Sequence, residues 1–116
     1  MIYPELQGKV DGMAMRVPIP DGSVTDFVAR LNTEVSADEV NDAFRQAAQG
    51  ELSEVMEFSE APIVSSDIVG NPASCVFDSP LTMANGNSVK VLGWYDNEWG
   101  YSNRTVDLVQ YIGERL

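Results

Sequence analysis

The chain alternates between two apolar periods, and the switches between them outline its elements. From Gly12 to Ile19, Met13, Met15, Val17 and Ile19 alternate with Ala14, Arg16 and Pro18, the period of two that a strand requires. Pro20-Asp21-Gly22 is a turn signal. A second strand is predicted from about Ser23 to Asn32, with Thr25, Phe27, Ala29 and Leu31 on one side. Val24 and Val28 fall on the other side, so both faces are expected to be partly covered. The period then lengthens. Ser36-Ala37-Asp38-Glu39 is a capping box, in which Ser36 accepts from the Glu39 amide and Glu39 reaches back. The helix it opens runs to about Gln49, carries Ala37, Val40, Phe44 and Ala47 on one stripe, and stops at Gly50. Asp38, Glu39 and Asp42 occupy its first turns, where the helix dipole favours anions.

The second half returns to short strands, at Glu54 to Phe58 and Ser74 to Phe77. Val64 to Gly70 is ambiguous, a short strand ending in the turn Gly70-Asn71-Pro72 being one option. Leu81 to Ala84 and Val89 to Tyr95 flank Asn85-Gly86, a strong hairpin signal. From about Glu98 the helical period resumes. Val106, Val109, Ile112 and Leu116 make a stripe with Leu108 and Tyr111 beside it, and one helix is predicted to the C-terminus, capped by Asp96 or Asn97. The order ββαββββα predicts an α+β fold: a mixed, largely antiparallel sheet with helices on one face, ending in a long C-terminal helix.

Composition narrows what such a fold can do. The 116 residues suffice for one domain, and the 44% apolar content supports a core rather than disorder. Eighteen acidic and seven basic residues give a net charge of −11, which argues against nucleic acid and against an anionic membrane surface. The same acidity aids solubility and would suit a salt-rich cytoplasm. With one cysteine, Cys75, no intrachain disulfide forms, and a reducing, cytoplasmic setting is expected. No run of 18 apolar residues predicts a membrane span, and the N-terminus has no signal-peptide pattern. The absence of histidine is the most restrictive fact. It removes any cysteine–histidine or serine–histidine nucleophile pair and leaves no expected metal site.

Several residues remain candidates for chemistry. Cys75 lacks a histidinium or nearby cation to lower its pKa, so it reads as a small strand hydrophobe. Arg16, in an otherwise apolar run, suits either a phosphate or carboxylate anchor or a structural ion pair. Trp94-Tyr95-Asp96-Asn97-Glu98-Trp99-Gly100-Tyr101 concentrates aromatic rings, amide and carboxylate at a strand–helix junction. It reads either as a flat-ligand wall or as a corner with buried tryptophans. Ser65-Ser66-Asp67 has no general base and reads as turn chemistry. Met13 and Met15 are expected to pack a sheet face. No G-x-G-x-x-G fingerprint occurs.

Four stretches together resemble glyceraldehyde-3-phosphate dehydrogenase: Pro4-Glu5-Leu6 through Gly12 to Pro18, Asp21 to Asp26, Val64 to Gly70, and Val91 through Trp94 to Arg104. The likeness extends from about Tyr3 to Ile112 and corresponds to roughly the last third of that enzyme, whose nucleotide-binding half, catalytic thiol motif and catalytic histidine have no counterpart in these residues. It implies that Arg16 lies at a substrate phosphate subsite. It also implies that Asn97 hydrogen-bonds a nicotinamide carboxamide, that Tyr101 lies near the nicotinamide and Tyr95 near the catalytic thiol, and that Glu98 shares the active-site wall. Cys75 does not align with the nucleophile, so no catalytic residue is assigned.

The resemblance implies further that residues 1–96 are part of the catalytic domain. Residues 97–116 then form a helix that packs back on the nucleotide-binding domain. NAD or NADP would be bound only by the complete enzyme, a homo-oligomer, and this chain alone would be inactive. A non-catalytic assembly module docking on a separate nucleotide-binding chain, a self-associating remnant and part of an erythrose-4-phosphate dehydrogenase are the alternatives.

Overall fold

The fold is organised around one strand. In the computed structural model, which describes residues 3–116, β5 (Ser88–Tyr95) pairs along its whole length with β1 (Ser23–Arg30), antiparallel, from Ser23↔Tyr95 to Arg30↔Ser88. Its other edge is shared. β3 (Cys75–Asp78) pairs antiparallel with Gly93 and Trp94, and β4 (Met83–Asn85) pairs with Ser88 to Lys90. β2 (Met56–Ser59) closes the order β1-β5-β3-β2 and runs parallel to β3. The sheet is therefore mixed and largely antiparallel, in an α+β fold that ends in α3 (Trp99–Gly113). Residues 1 and 2, which open the stretch read for a signal peptide and the 1–96 domain, lie outside the described residues.

The β4–β5 hairpin turns through Gly86-Asn87, since Asn85 pairs with Ser88. Gly86 stands at φ 59° while Asn87 keeps a negative φ. Glycine at the first central position is the type II′ preference, so the turn is centred one residue beyond Asn85-Gly86.

α1 (Ala37–Gln49) forms as its capping box predicts. The Glu39 N–H donates to Ser36 Oγ at 3.2 Å and the Ser36 N–H donates to Glu39 Oε2 at 2.8 Å. These Ser36 donors hold the Glu39 carboxyl below its usual range. The stripe of Ala37, Val40, Phe44 and Ala47 turns inward. Phe44 stacks on Phe77 with ring centroids 4.1 Å apart, Phe58 stacks on it at 5.5 Å, and Phe77 is only 1% exposed. Arg45 covers the Phe58 ring and bridges Asp42 and Glu60.

The opposite face of the sheet is sealed by a second cluster, Ile68, Ala73 and Val76, with Ile63 and Trp94 against it. Ile68 belongs to α2 (Ser65–Ile68), so the ambiguous stretch from Val64 to Gly70 holds one helical turn rather than a strand. Asp67 accepts from the Val64 N–H at 2.8 Å, a local bond that starts the helical turn.

Two expectations fail at the chain's first third. Gly12 to Ile19 is not a strand here, and Met13 and Met15 are 84% and 80% exposed rather than packed. The alternation is present, but β5 is already paired on both edges and β1 extends no ladder to this segment, so it finds no strand partner among the described residues. β1 is likewise an edge strand, and Val24, Phe27 and Val28 remain largely exposed rather than partly covered. Beyond Arg104, α3 too is exposed throughout and ends at Gly113, short of the C-terminus. The radius of gyration, 15.7 Å, exceeds the about 13 Å of a compact domain of about 100 residues, as these outlying segments require.

Candidate functional site

The junction of β5 and α3 is built by one carboxylate. Asp96, 4% exposed, accepts from the Glu98 N–H at 2.9 Å and the Trp99 N–H at 2.7 Å through Oδ1. Its Oδ2 accepts from the Gly70 N–H at 2.8 Å. The donors on Trp99, Gly70 and Glu98 pull its pKa from 3.8 down to about 2, because each favours the ionised form. Glu98 is the residue flanking α3 in position, yet it makes no side-chain cap; Asp96, two residues earlier, satisfies the free amides of the first turn. Of the two caps the sequence suggests, the structure selects Asp96.

Behind this corner α3 is held close. A Cβ on Gly100 would lie 2.7 Å from the Ala73 carbonyl oxygen, so only glycine lets the helix approach there. Arg104 extends the attachment by donating to the Glu54 carbonyl at 3.1 Å while pairing with Asp107 at 2.7 Å. On the other flank, Trp94 donates from Nε1 to Asp78 Oδ2 at 2.9 Å, which fixes the strand just before Tyr95.

The residues of functional interest sit on this frame as follows. Tyr95 is half-buried at the end of β5; Asn97, Glu98 and Tyr101 are exposed, Tyr101 to 75%. Among the described residues the Asn97 carboxamide and the Glu98 carboxylate have no hydrogen-bond partner. A side chain without a local partner on a tightly held backbone is free to meet a ligand. A carboxamide both donates and accepts, so the exposed Asn97 side chain can meet a polar group of either kind.

Arg16 lies apart from this corner, exposed on the extended segment before β1, with no ion-pair or hydrogen-bond partner among the described residues. The two regions meet only indirectly. Gly22 is buried against the Ser65 carbonyl, Asp21 neighbours Asp96, and Ser23 pairs with Tyr95.

Tyr95 also borders a cleft of about 410 Å³ on the α1 face, walled by Phe27, Phe44, Phe77, Val91 and Cys75. Cys75 lies under Gly93, where a Cβ would come within 2.6 Å of Sγ, and burial pushes its thiol above the usual value of 9.0. A reactive thiol needs the opposite shift. Among the described residues no group of three potential metal-ligating His, Cys, Asp or Glu side chains occurs, and no helix is long and apolar enough to cross a membrane.

Sequence reasoning undervalued Asp96. Its position before Asn-Glu-Trp marks a cap, but the bond to Gly70, twenty-six residues earlier, has no local signature.

Comparison with known proteins gives the family of the chain. The family model described as glyceraldehyde 3-phosphate dehydrogenase, C-terminal domain, matches residues 1–97. Glyceraldehyde-3-phosphate dehydrogenase 2 of Streptomyces avermitilis is 59% identical over 117 residues, covering 100% of this chain and 35% of that protein. The glyceraldehyde-3-phosphate dehydrogenase of Streptomyces coelicolor is 59% identical over 118 residues, with the same coverage. That of Mycobacterium bovis is 55% identical over 116 residues, covering 100% of this chain and 34% of that protein. The chain thus spans about a third of the length of the curated relatives it matches and belongs to the glyceraldehyde-3-phosphate dehydrogenase family, in the region of its C-terminal domain.

Proposed function

We propose that these residues form the C-terminal part of the catalytic domain of a phosphorylating glyceraldehyde-3-phosphate dehydrogenase of glycolysis or gluconeogenesis, and that they recognise rather than transform. Arg16 supplies a planar, permanently charged fork for the substrate phosphate. Asn97 holds the carboxamide of NAD or NADP and so fixes which ring face meets the substrate, with Tyr101 beside it. The nicotinamide, when bound, accepts the hydride. Tyr95 and Glu98 complete the wall. Such contacts contribute orientation and electrostatic stabilisation. The thiol nucleophile and proton acceptor come from outside these 116 residues, which contain no histidine and no activated cysteine. The outward apolar face of α3 docks on the nucleotide-binding portion, and the complete cytoplasmic enzyme is a homo-oligomer.

The observation that carries this reading is the exposed Asn97 carboxamide, without a partner among the described residues, on a backbone fixed by Asp96. Its test is kinetic. The 116-residue chain by itself should reduce no NAD or NADP with glyceraldehyde 3-phosphate and phosphate. In the complete dehydrogenase, Arg16→Ala should raise KM for the aldehyde phosphate, about a hundredfold for a lost charge-assisted pair. Turnover by the chain alone, or an unchanged KM in Arg16→Ala, refutes the assignment.

A further inference from the structure

Asn97 is bracketed by bonds that do not involve its own side chain. On its far side, the Glu98 and Trp99 N–H groups donate to Asp96 Oδ1; on its near side, Asp96 Oδ2 receives the Gly70 N–H. An ordinary helix cap satisfies amides of its own helix alone. Here the second oxygen crosses to a turn that follows α2, and Gly70 takes φ 79°, a conformation side chains resist. The entry to β1 joins the same knot, with Gly22 against the Ser65 carbonyl and Asp21 beside Asp96.

We propose that Asp96 is a positioning residue for dinucleotide binding: by tying the Gly70 turn to the first turn of α3, it sets the direction in which the Asn97 carboxamide is offered. The proposal rests on the reading of Asn97 given above. A carboxylate suits this task because both of its oxygens only accept. An asparagine in its place would turn an NH2 group toward either the Gly70 N–H or the pair from Glu98 and Trp99. One side of the tie would then break while the volume stayed the same. The part-buried Trp94–Asp78 bond restrains the strand before Asp96, so loss of the tie loosens the corner and leaves the sheet in place.

The test compares Asp96→Asn, Asp96→Ala and Asn97→Ala in the complete dehydrogenase. Asn97→Ala should raise KM for the dinucleotide about tenfold, the value of one hydrogen bond. Asp96→Asn should raise the same KM several-fold, Asp96→Ala more, and KM for the aldehyde phosphate should stay within a factor of two. Amide exchange in Asp96→Asn should quicken at Gly70, Glu98 and Trp99 while that of β5 is unchanged. The proposal is overturned if both Asp96 variants leave the dinucleotide KM at its starting value while Asn97→Ala raises it. It is equally overturned if both KM values and the protection of β5 shift together, as a merely structural role requires. If Asn97→Ala has no effect on dinucleotide KM, the reading of Asn97 itself fails and the positioning role falls with it. Asp96→Asn keeps the result decisive should Asp96→Ala not fold.

Discussion

Two parts of this chain carry equally regular apolar patterns and meet different fates. Around β5, Phe77, Val76, Ile68 and Val89 are buried by their neighbours, with α1 on one face and α2 with its loop on the other. Along Gly12 to Ile19 and along α3 beyond Arg104, side chains of the same kinds stand in the open: Met13 at 84% exposure, Val109 at 67%, Ile112 at 49%. Periodicity records that a face is to be buried; it does not record against what. The first region contains its own partners. The second has apolar area worth about 25 cal/mol for each Å² covered, and nothing among the described residues covers it.

The largest test of that contrast sets one core residue against one outlying residue. Phe77→Ala should destabilise the chain by about 3–5 kcal/mol in chemical denaturation, because Phe44 and Phe58 both lose the ring they stack on. Met13→Ala should stay within about 0.5 kcal/mol in the same chain. Comparable losses at both sites would erase the distinction.

A finer test lies within α3 itself, where the attached and free ends each hold a glycine. Gly100→Ala should cost on the order of 1–3 kcal/mol, since its methyl meets the Ala73 carbonyl at 2.7 Å. Gly113→Ala, with nothing within 4 Å, should instead stabilise the helix by up to about 1 kcal/mol. Circular dichroism melts of the two variants read the opposite signs.

The smallest effect is titratable. Asp96 has its folded-state pKa lowered from 3.8 to about 2, so its contribution to stability is complete above the ordinary value and is lost as pH falls through the folded one. Asp96→Asn should therefore be less stable at neutral pH. The stability gap to the parent should narrow between pH 4 and 2, measured by denaturant midpoints across that range. A gap that widens with acid would contradict the bonding at this corner.

Much of this was legible beforehand, for physical reasons that can be named. The capping box at Ser36 and Glu39 is a local bond between residues three apart, and the β4–β5 hairpin is a local turn; both are written in short sequence. The β5–α3 corner stands out in the sequence as an aromatic and amide cluster, and the family resemblance gave Asn97, Tyr101, Tyr95, Glu98 and Arg16 their candidate roles. Three things were not legible. α2 is a single turn, too short for a period to register. The bond from Gly70 to Asp96 joins distant segments. The exposure of Gly12 to Ile19 depends on a missing strand partner, and a pattern cannot report its own partner's absence.

Amide hydrogen exchange, mapped across the 116-residue chain alone and across the complete dehydrogenase, tests the division most directly. Amides of β5 should be slow in both. Those of residues 12–19 and 105–113 should exchange readily in the chain alone and become protected only in the complete enzyme. Strong protection of both outlying segments in the isolated chain would mean that they are satisfied internally, and the account would be wrong.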